Sequence, residues 1–303
     1  MKNRKTLMAQ TAVLYYKENM TQQEIAEVFG LTRQTVSKLL TEAVEENVVE
    51  IRINNPEEQV MDLRQDFADA FNVKAIICDS GSADPALRQY LVAERAAEYV
   101  SGVLKKGGKN IGLAWGRMVA AMVKAMPTLN TEDNVVFPLF GATSHEQEYF
   151  LPNELARELA GKLSARVQYA WFPYRPDSKE DAELLVRTSY YASMQKLWSA
   201  CDVAVMGIGN NTALKLLDPS GIQHDEVVGD VATHFFKFDG QIQETEISLL
   251  RISKRQLCDI NERIAIASGD DKTEAIIGAL KSGLVTTLIT DEYTARAVLD
   301  FKT

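Results

Sequence analysis

The chain has 303 residues, 46% hydrophobic and 25% charged, proportions that exclude a disordered or fibrous protein and leave room for two domains. No apolar run approaches the roughly 18–20 residues of a bilayer span, so a cytoplasmic protein without a signal peptide is expected; three scattered cysteines and three histidines offer no disulfide framework, metal site or cofactor. The net charge of −9 lies wholly in residues 56–303, because residues 1–55 hold seven Lys/Arg against seven Glu, which leaves a neutral head free to carry a local basic face.

The head reads as helices. Leu7, Val13, Leu14, Tyr15 and Tyr16 recur at spacings that predict one apolar helical face. Thr21-Gln22-Gln23-Glu24 is a capping box and opens a second helix, with Ile25, Ala26 and Phe29 inward and Gly30 at its end, where a left-handed residue is sterically cheap. Thr32 caps a third helix with Val36, Leu39 and Leu40 inward. Ala26, Gly30 and Val36 thus meet the joint demands of a helix-turn-helix: a small residue for close approach, a glycine for the reversal, and a β-branched plug between the helices. In such a motif the third helix enters the major groove of double-stranded DNA. Thr32, Arg33, Gln34, Thr35, Ser37 and Lys38 are therefore the expected contacts. Arginine suits guanine, glutamine suits adenine, and Thr or Ser can reach a base or a phosphate. Lys38, with Lys2, Arg4 and Lys5, is expected to hold phosphates and so to set position rather than sequence. The bland reading of Arg33 and Lys38 is an ordinary solvated helix face.

Residues 48–53 alternate like a short strand, and Asn54-Asn55-Pro56 breaks structure. The boundaries are accordingly set at 1–55 for the DNA-binding head, 56–72 for a linking helix, and 73–303 for an effector-binding and oligomerisation domain. Val60, Leu63, Phe67 and Phe71 form one stripe on the linking helix, able to pack on its own domain or on a second copy. From 73 onward the pattern alternates strand, loop and helix, with strands expected at 73–78, 110–114, 134–139, 166–172, 202–206, 247–252, 263–267 and 285–289. Short, apolar, β-branched strands separated by helices predict an α/β, Rossmann-like parallel sheet.

Three loops at strand ends combine glycine with polar residues. Gly112, Ala114, Trp115, Gly116 and Arg117 lead into a helix whose amides an anion could approach. Gly207, Gly209 and Asn210 follow the strand ending near 206. In Ser268-Gly269-Asp270-Asp271-Lys272, a lysine sits in an opening helical turn, where the helix dipole favours anions. A shared anionic ligand explains that placement. The alternative is that Asp270 and Asp271 cap the helix while Lys272 points to water. Asp230 stands among these loops with a carboxylate suited to paired sugar hydroxyls. Gly141, Thr143 and Ser144 form the turn after 134–139, Arg175 lies at the end of 166–172, and His234 and Trp115 are possible pocket walls or simply core.

QQEIAEVFGLTRQTVSKLL followed in order by GLAWGR, MGIGN, GDVATHFF, ASGDDKTEAIIGALKSG and LITDEYTARAVL resembles the SorC family of bacterial transcriptional regulators over essentially the whole chain. The resemblance implies a large domain like the sugar-phosphate isomerase and CoA-transferase fold that binds a phosphorylated sugar without transforming it, in a homodimer or homotetramer. It makes Asp230 and Lys272 effector contacts, with the loops at Gly112, Gly141 and Gly207 holding phosphate or sugar. The turn FGATS stands where the family commonly has a double glycine. The expected function is a DNA-binding regulator, not an enzyme, controlled by a sugar phosphate. The alternative is a sugar-phosphate isomerase or deaminase with an added DNA head, using Asp230 as base and Lys272 as phosphate or enolate stabiliser. A third possibility is an assembly protein whose head binds protein.

Overall fold

A computed structural model describes residues 4–49, 56–143, 151–210, 226–244 and 248–301. The chain divides into two compact units, Met1–Asn55 and Pro56–Thr303. Among the described residues no helix is long and apolar enough to cross a membrane.

The first unit holds α1 (Arg4–Tyr16), α2 (Gln22–Phe29) and α3 (Arg33–Glu45). The capping box forms as the spacing predicts: Thr21 Oγ1 accepts from the Glu24 amide at 3.3 Å, and the Thr21 amide donates to Glu24 at 2.8 Å. Gly30 takes φ 65° and ψ 35° at the end of α2, a left-handed conformation that glycine adopts without strain. Thr32 caps α3 through the Thr35 amide. Ile25, Ala26, Val36 and Leu40 pack with Ala12, while Met8 packs with Leu39 and Ala43. The inward face of α1 is thus Met8, Thr11 and Ala12, and Val13 and Tyr16 of the expected face are 46% and 45% exposed. Leu7, Leu14 and Tyr15 of the expected face are partly buried and pack against the same two clusters. Val48 and Val49 form a bend, not the start of a strand; both amides return to the Ala43 carbonyl, and residues 50–53 lie outside the described residues.

The larger unit opens with α4 (Pro56–Phe71), whose Leu63 and Phe67 are buried in the main core. The helix packs on β1 (Lys74–Cys78) and on α12 (Glu292–Leu299), which answers the question left by its apolar stripe. Next come α5 (Pro85–Leu104), β2 (Asn110–Leu113), α6 (Arg117–Ala125), β3 (Val135–Pro138), α7 (Pro152–Leu163), β4 (Arg166–Val167), α8 (Lys179–Leu185), α9 (Ser189–Ser199) and β5 (Val203–Asn210). After them stand β6 (Val227–Val231), β7 (His234–Lys237), β8 (Ile242–Gln243), α10 (Lys254–Asp259), β9 (Glu262–Ile266), α11 (Thr273–Lys281) and β10 (Thr287–Asp291). The parallel strands run in the order β1-β10-β9-β5-β2-β3-β4, with central strands buried on both faces, as their unbroken apolar runs require.

Two strand expectations in the larger unit differ from the structure. The run 166–172 is a strand only at Arg166–Val167. Residues 248–252 form no regular strand but an extended segment: the Gly141 amide donates to Leu250, Leu250 to Tyr174, and Ile252 to Leu139. The hairpin β6–β7, with β8, lies outside the expected strands. It pairs antiparallel with the end of β5, and its residues are buried by that pairing rather than marked by long apolar runs.

Candidate functional site

On the head, α3 buries Val36, Leu39, Leu40 and Ala43 and leaves Thr32, Arg33, Gln34, Thr35, Ser37 and Lys38 exposed. The hydroxyls of Thr32 and Thr35 lie 2.8 Å apart and serve the cap. Arg4, expected on phosphate, forms a bidentate pair with Glu42 on α3, at 2.9 Å for one of its contacts. Lys5 lies 3.7 Å from Glu46, and Lys38 4.0 Å from Glu42. Acidic residues on the outer side of α3 therefore hold two cations of α1, and Lys2 lies outside the described residues.

In the larger unit, the chain runs outward from β2 through β3 to β4 on one side, and from β5 through β9 and β10 on the other. The order reverses between β2 and β5, and in open α/β sheets ligands bind in the crevice beyond the carboxyl ends of the strands at such a switch point. The loops at 114–117 and 207–210 meet there: a Cβ on Gly207 would stand 3.6 Å from the Trp115 carbonyl. Gly116, at φ 124° and ψ 158°, opens α6 with no side-chain cap, leaving the first amides of that helix and Arg117 at the crevice. The third loop joins them from β9. Lys272 Nζ donates to the Ile208 carbonyl at 3.1 Å, and Asn210 Nδ2 donates to Asp271 at 2.8 Å.

Asp230, on β6, sits opposite Gly209 of β5 and is buried, accepting from the Thr233 amide at 3.1 Å. Gly229 makes this approach possible, since a Cβ there would lie 2.4 Å from the Gly209 carbonyl. Burial pushes the Asp230 carboxyl up to about 6, against the pull of the Thr233 amide, Lys272 and Arg251. Burial also lowers Lys272, aided by Arg117 and opposed by Asp271 and Asp230. Arg251, which donates to the Thr233 carbonyl, is lowered by burial as well. A half-buried lysine and arginine thus face one buried carboxyl, an arrangement able to hold an anion on one side and hydroxyls on the other.

Several expected contacts have other duties. Gly112 lies within β2, where a Cβ would stand 2.3 Å from Leu139 Cδ2; it is a packing glycine, as is Gly141, where a Cβ would stand 2.5 Å from the Pro173 backbone. The Gly141 amide already donates to Leu250 and the Ala114 amide to Val205, so neither is open to an anion. Trp115 is buried, with its ring 4.5 Å from Phe140 and 5.3 Å from Tyr174. His234 is a core histidine, its Nε2 3.1 Å from the Ile252 carbonyl. Asp270 and Asp271 do not cap: Gly269 holds the cap position of the short turn and Lys272 that of α11, neither with a side-chain cap bond. Thr143 and Arg175 line a separate cleft of about 660 Å³ with Trp171 and Tyr174, which adjoins the first group through the Trp115–Tyr174 contact. Ser144 lies outside the described residues.

Sequence reading missed Arg251 and Arg88, and it quoted Ser268, Asp291 and Thr294 within motifs without a role for their side chains. Arg251 did carry a signal: a lone charge inside the apolar run ISLLRIS must find a partner when buried. Asp291-Glu292-Tyr293-Thr294 likewise has the spacing of a helix cap, and the structure shows Asp291 capping α12 through the Thr294 amide. Arg88 carried none, being one arginine in a charged helix.

The family profile described as "Putative sugar-binding domain" matches residues 55–300, and that of sigma-70 region 4 matches residues 12–46. The sorbitol operon regulator of Klebsiella pneumoniae is 27% identical over 307 residues, covering 97% of each chain. The deoxyribonucleoside regulator of Bacillus subtilis is 26% identical over 310 residues, covering 99% of each. The crystal structure of the full-length sorbitol operon regulator SorC from Klebsiella pneumoniae matches with a TM-score of 0.75 at 26% identity, covering 99% of this chain and 100% of that one. These relatives span the head and the larger unit together and are named regulators, so the enzyme alternative falls away. The chain belongs to the SorC family of bacterial transcriptional regulators.

Proposed function

We propose that the exposed face of α3, Arg33 to Lys38, reads operator DNA in the cytoplasm, and that a phosphorylated sugar bound at the β2–β5 switch point controls the affinity. The observation that carries this reading is the placement of Lys272 and Arg251 around buried Asp230, beside the uncapped start of α6 at Gly116–Arg117. Phosphate suits the two cations and the free amides, and Asp230 suits sugar hydroxyls. Gly207, Gly209 and Asn210 form the opposite rim, and Thr143 and Arg175 extend the site into the adjoining cleft. The names of the relatives, a sorbitol operon regulator and a deoxyribonucleoside regulator, support carbohydrate-derived effectors.

Control follows from linkage: an effector that binds two conformations unequally shifts the population, and DNA must alter effector affinity by the same factor. Acting as a homodimer or homotetramer, the protein pairs its recognition helices on half-sites about one helical turn, or multiples of it, apart. The test is an operator titration with the full chain in the presence of pentose and hexose phosphates, with sedimentation in parallel. A shift of at least fivefold with one phosphorylated sugar, absent with its unphosphorylated form, supports the reading. Equal operator affinity across the panel overturns it.

A further inference from the structure

Lys272 reaches the switch point from a single turn of 3-10 helix, Asp270–Lys272, between β9 and α11, and such a turn has little rigidity of its own. A chain of contacts fixes it from behind. Asp291, fully buried at the end of β10, accepts from Ser268 Oγ at 2.6 Å, the Thr294 amide at 2.9 Å and Thr294 Oγ1 at 2.7 Å. Thr294 Oγ1 in turn accepts from the Gly269 amide at 2.9 Å. Burial works against the Asp291 charge, but the bonds from Ser268 and Thr294 and the nearby Arg88 prevail and hold its carboxyl below the ordinary range. This is a fixed anchor.

Arg88 of α5 spans the distance from that anchor to the turn. Its side chain is 3% exposed, and Nη1 lies 3.2 Å from Asp291 Oδ1 and 3.1 Å from Asp270 Oδ1. The two carboxylates differ in setting: Asp291 is fully buried, whereas Asp270 is 75% exposed. An exposed carboxylate in water gains little from a single cation, but this cation is buried and held by a fixed partner, so Asp270 is drawn to one place. Asp270 is two residues from Lys272.

We propose that Arg88 and Asp270 are positioning residues of the effector site: their bond holds the 270–272 turn so that the Lys272 ammonium faces the anion-binding crevice. This rests on the effector-site reading above. The inference has a sign that a simple charge effect cannot imitate. Were Asp270 only a negative charge near a bound anion, Asp270→Asn would tighten anion binding; as a positioning residue, it weakens binding on removal.

The experiment titrates the full chain with inorganic phosphate and reads affinity by phosphorus NMR line width. Asp270→Asn leaves Arg88 an oxygen but takes away the charge that strengthens the bond; it is expected to bind phosphate about tenfold more weakly, the low end of what loss of an outer supporting partner costs at metal-ligand sites, with an unchanged unfolding midpoint because Asp270 is exposed. Arg88→Lys keeps the charge beside Asp291, but its shorter side chain does not carry a nitrogen to the point where Nη1 meets both carboxylates. It should show the same loss, and the double variant no more than either alone. Lys272→Met distinguishes the two failures. If Lys272→Met loses phosphate while Asp270→Asn binds as tightly as the parent or tighter, the positioning role is overturned and the site stands. If Lys272→Met binds like the parent, or the parent binds no phosphate, the site reading is overturned and this inference with it.

Discussion

Asp230→Asn separates what the site costs the fold from what it gives to recognition. At about 1.4 kcal/mol for each tenfold change in proton affinity, the rise of the Asp230 carboxyl from 3.8 to about 6 means that holding it ionised costs the folded state about 3 kcal/mol. The sign follows from linkage. Between about pH 4 and pH 6 the unfolded chain has lost this proton and the folded chain keeps it, so this group's contribution falls as pH rises through that window and is flat above it. Asparagine keeps an oxygen for the Thr233 amide and carries no charge. The variant should match the parent near pH 4 and be more stable by up to about 3 kcal/mol at pH 7.5, while its response to a sugar phosphate is lost. Urea unfolding followed by tryptophan fluorescence checks this, because Trp115, Trp171 and Trp198 all lie in the larger unit and the head does not blur the transition. An Asn variant no more stable than the parent at pH 7.5, or equally altered at both pH values, refutes the argument.

Burial lowers His234 to about 3, so its contribution is present above pH 6.5 and is lost as pH falls toward 3; His234→Gln should flatten the acid limb of the urea-unfolding profile. Glu42→Gln should release Arg4 and Lys38 and steepen the salt dependence of duplex binding by about one phosphate contact, measured as the slope of log affinity against log salt. Gly116→Ala meets no neighbouring atom yet must hold φ 124°, a region essentially restricted to glycine. Thermal unfolding should therefore show a loss of ~1–3 kcal/mol from backbone strain alone.

The helix-turn-helix was legible almost residue by residue, because caps, a left-handed glycine and a small residue between helices are local requirements. Thr21, Glu24, Gly30, Thr32 and Val36 each stand where the spacing placed them. The central parallel strands were legible for a related reason: a segment buried on both faces is chiefly apolar, as Val203–Met206 of β5 and Ile264–Ile266 of β9 show. Asp230 and Lys272 stood out as charges beside glycine loops, and the structure places both at the switch point. What sequence spacing could not reveal was which neighbours each group would meet. Gly112 and Gly141 look like loop glycines, and only the packing of Leu139 and Pro173 against them gives their use. Arg4 looks like a phosphate ligand until α3 brings Glu42 to it. Arg88 and Asp291 are 203 residues apart, and only the packing of α5 on β10 brings them together. Local geometry is written in short-range sterics and hydrogen bonding, whereas the partners of a buried charge are set by which strands lie side by side, a property of the whole chain.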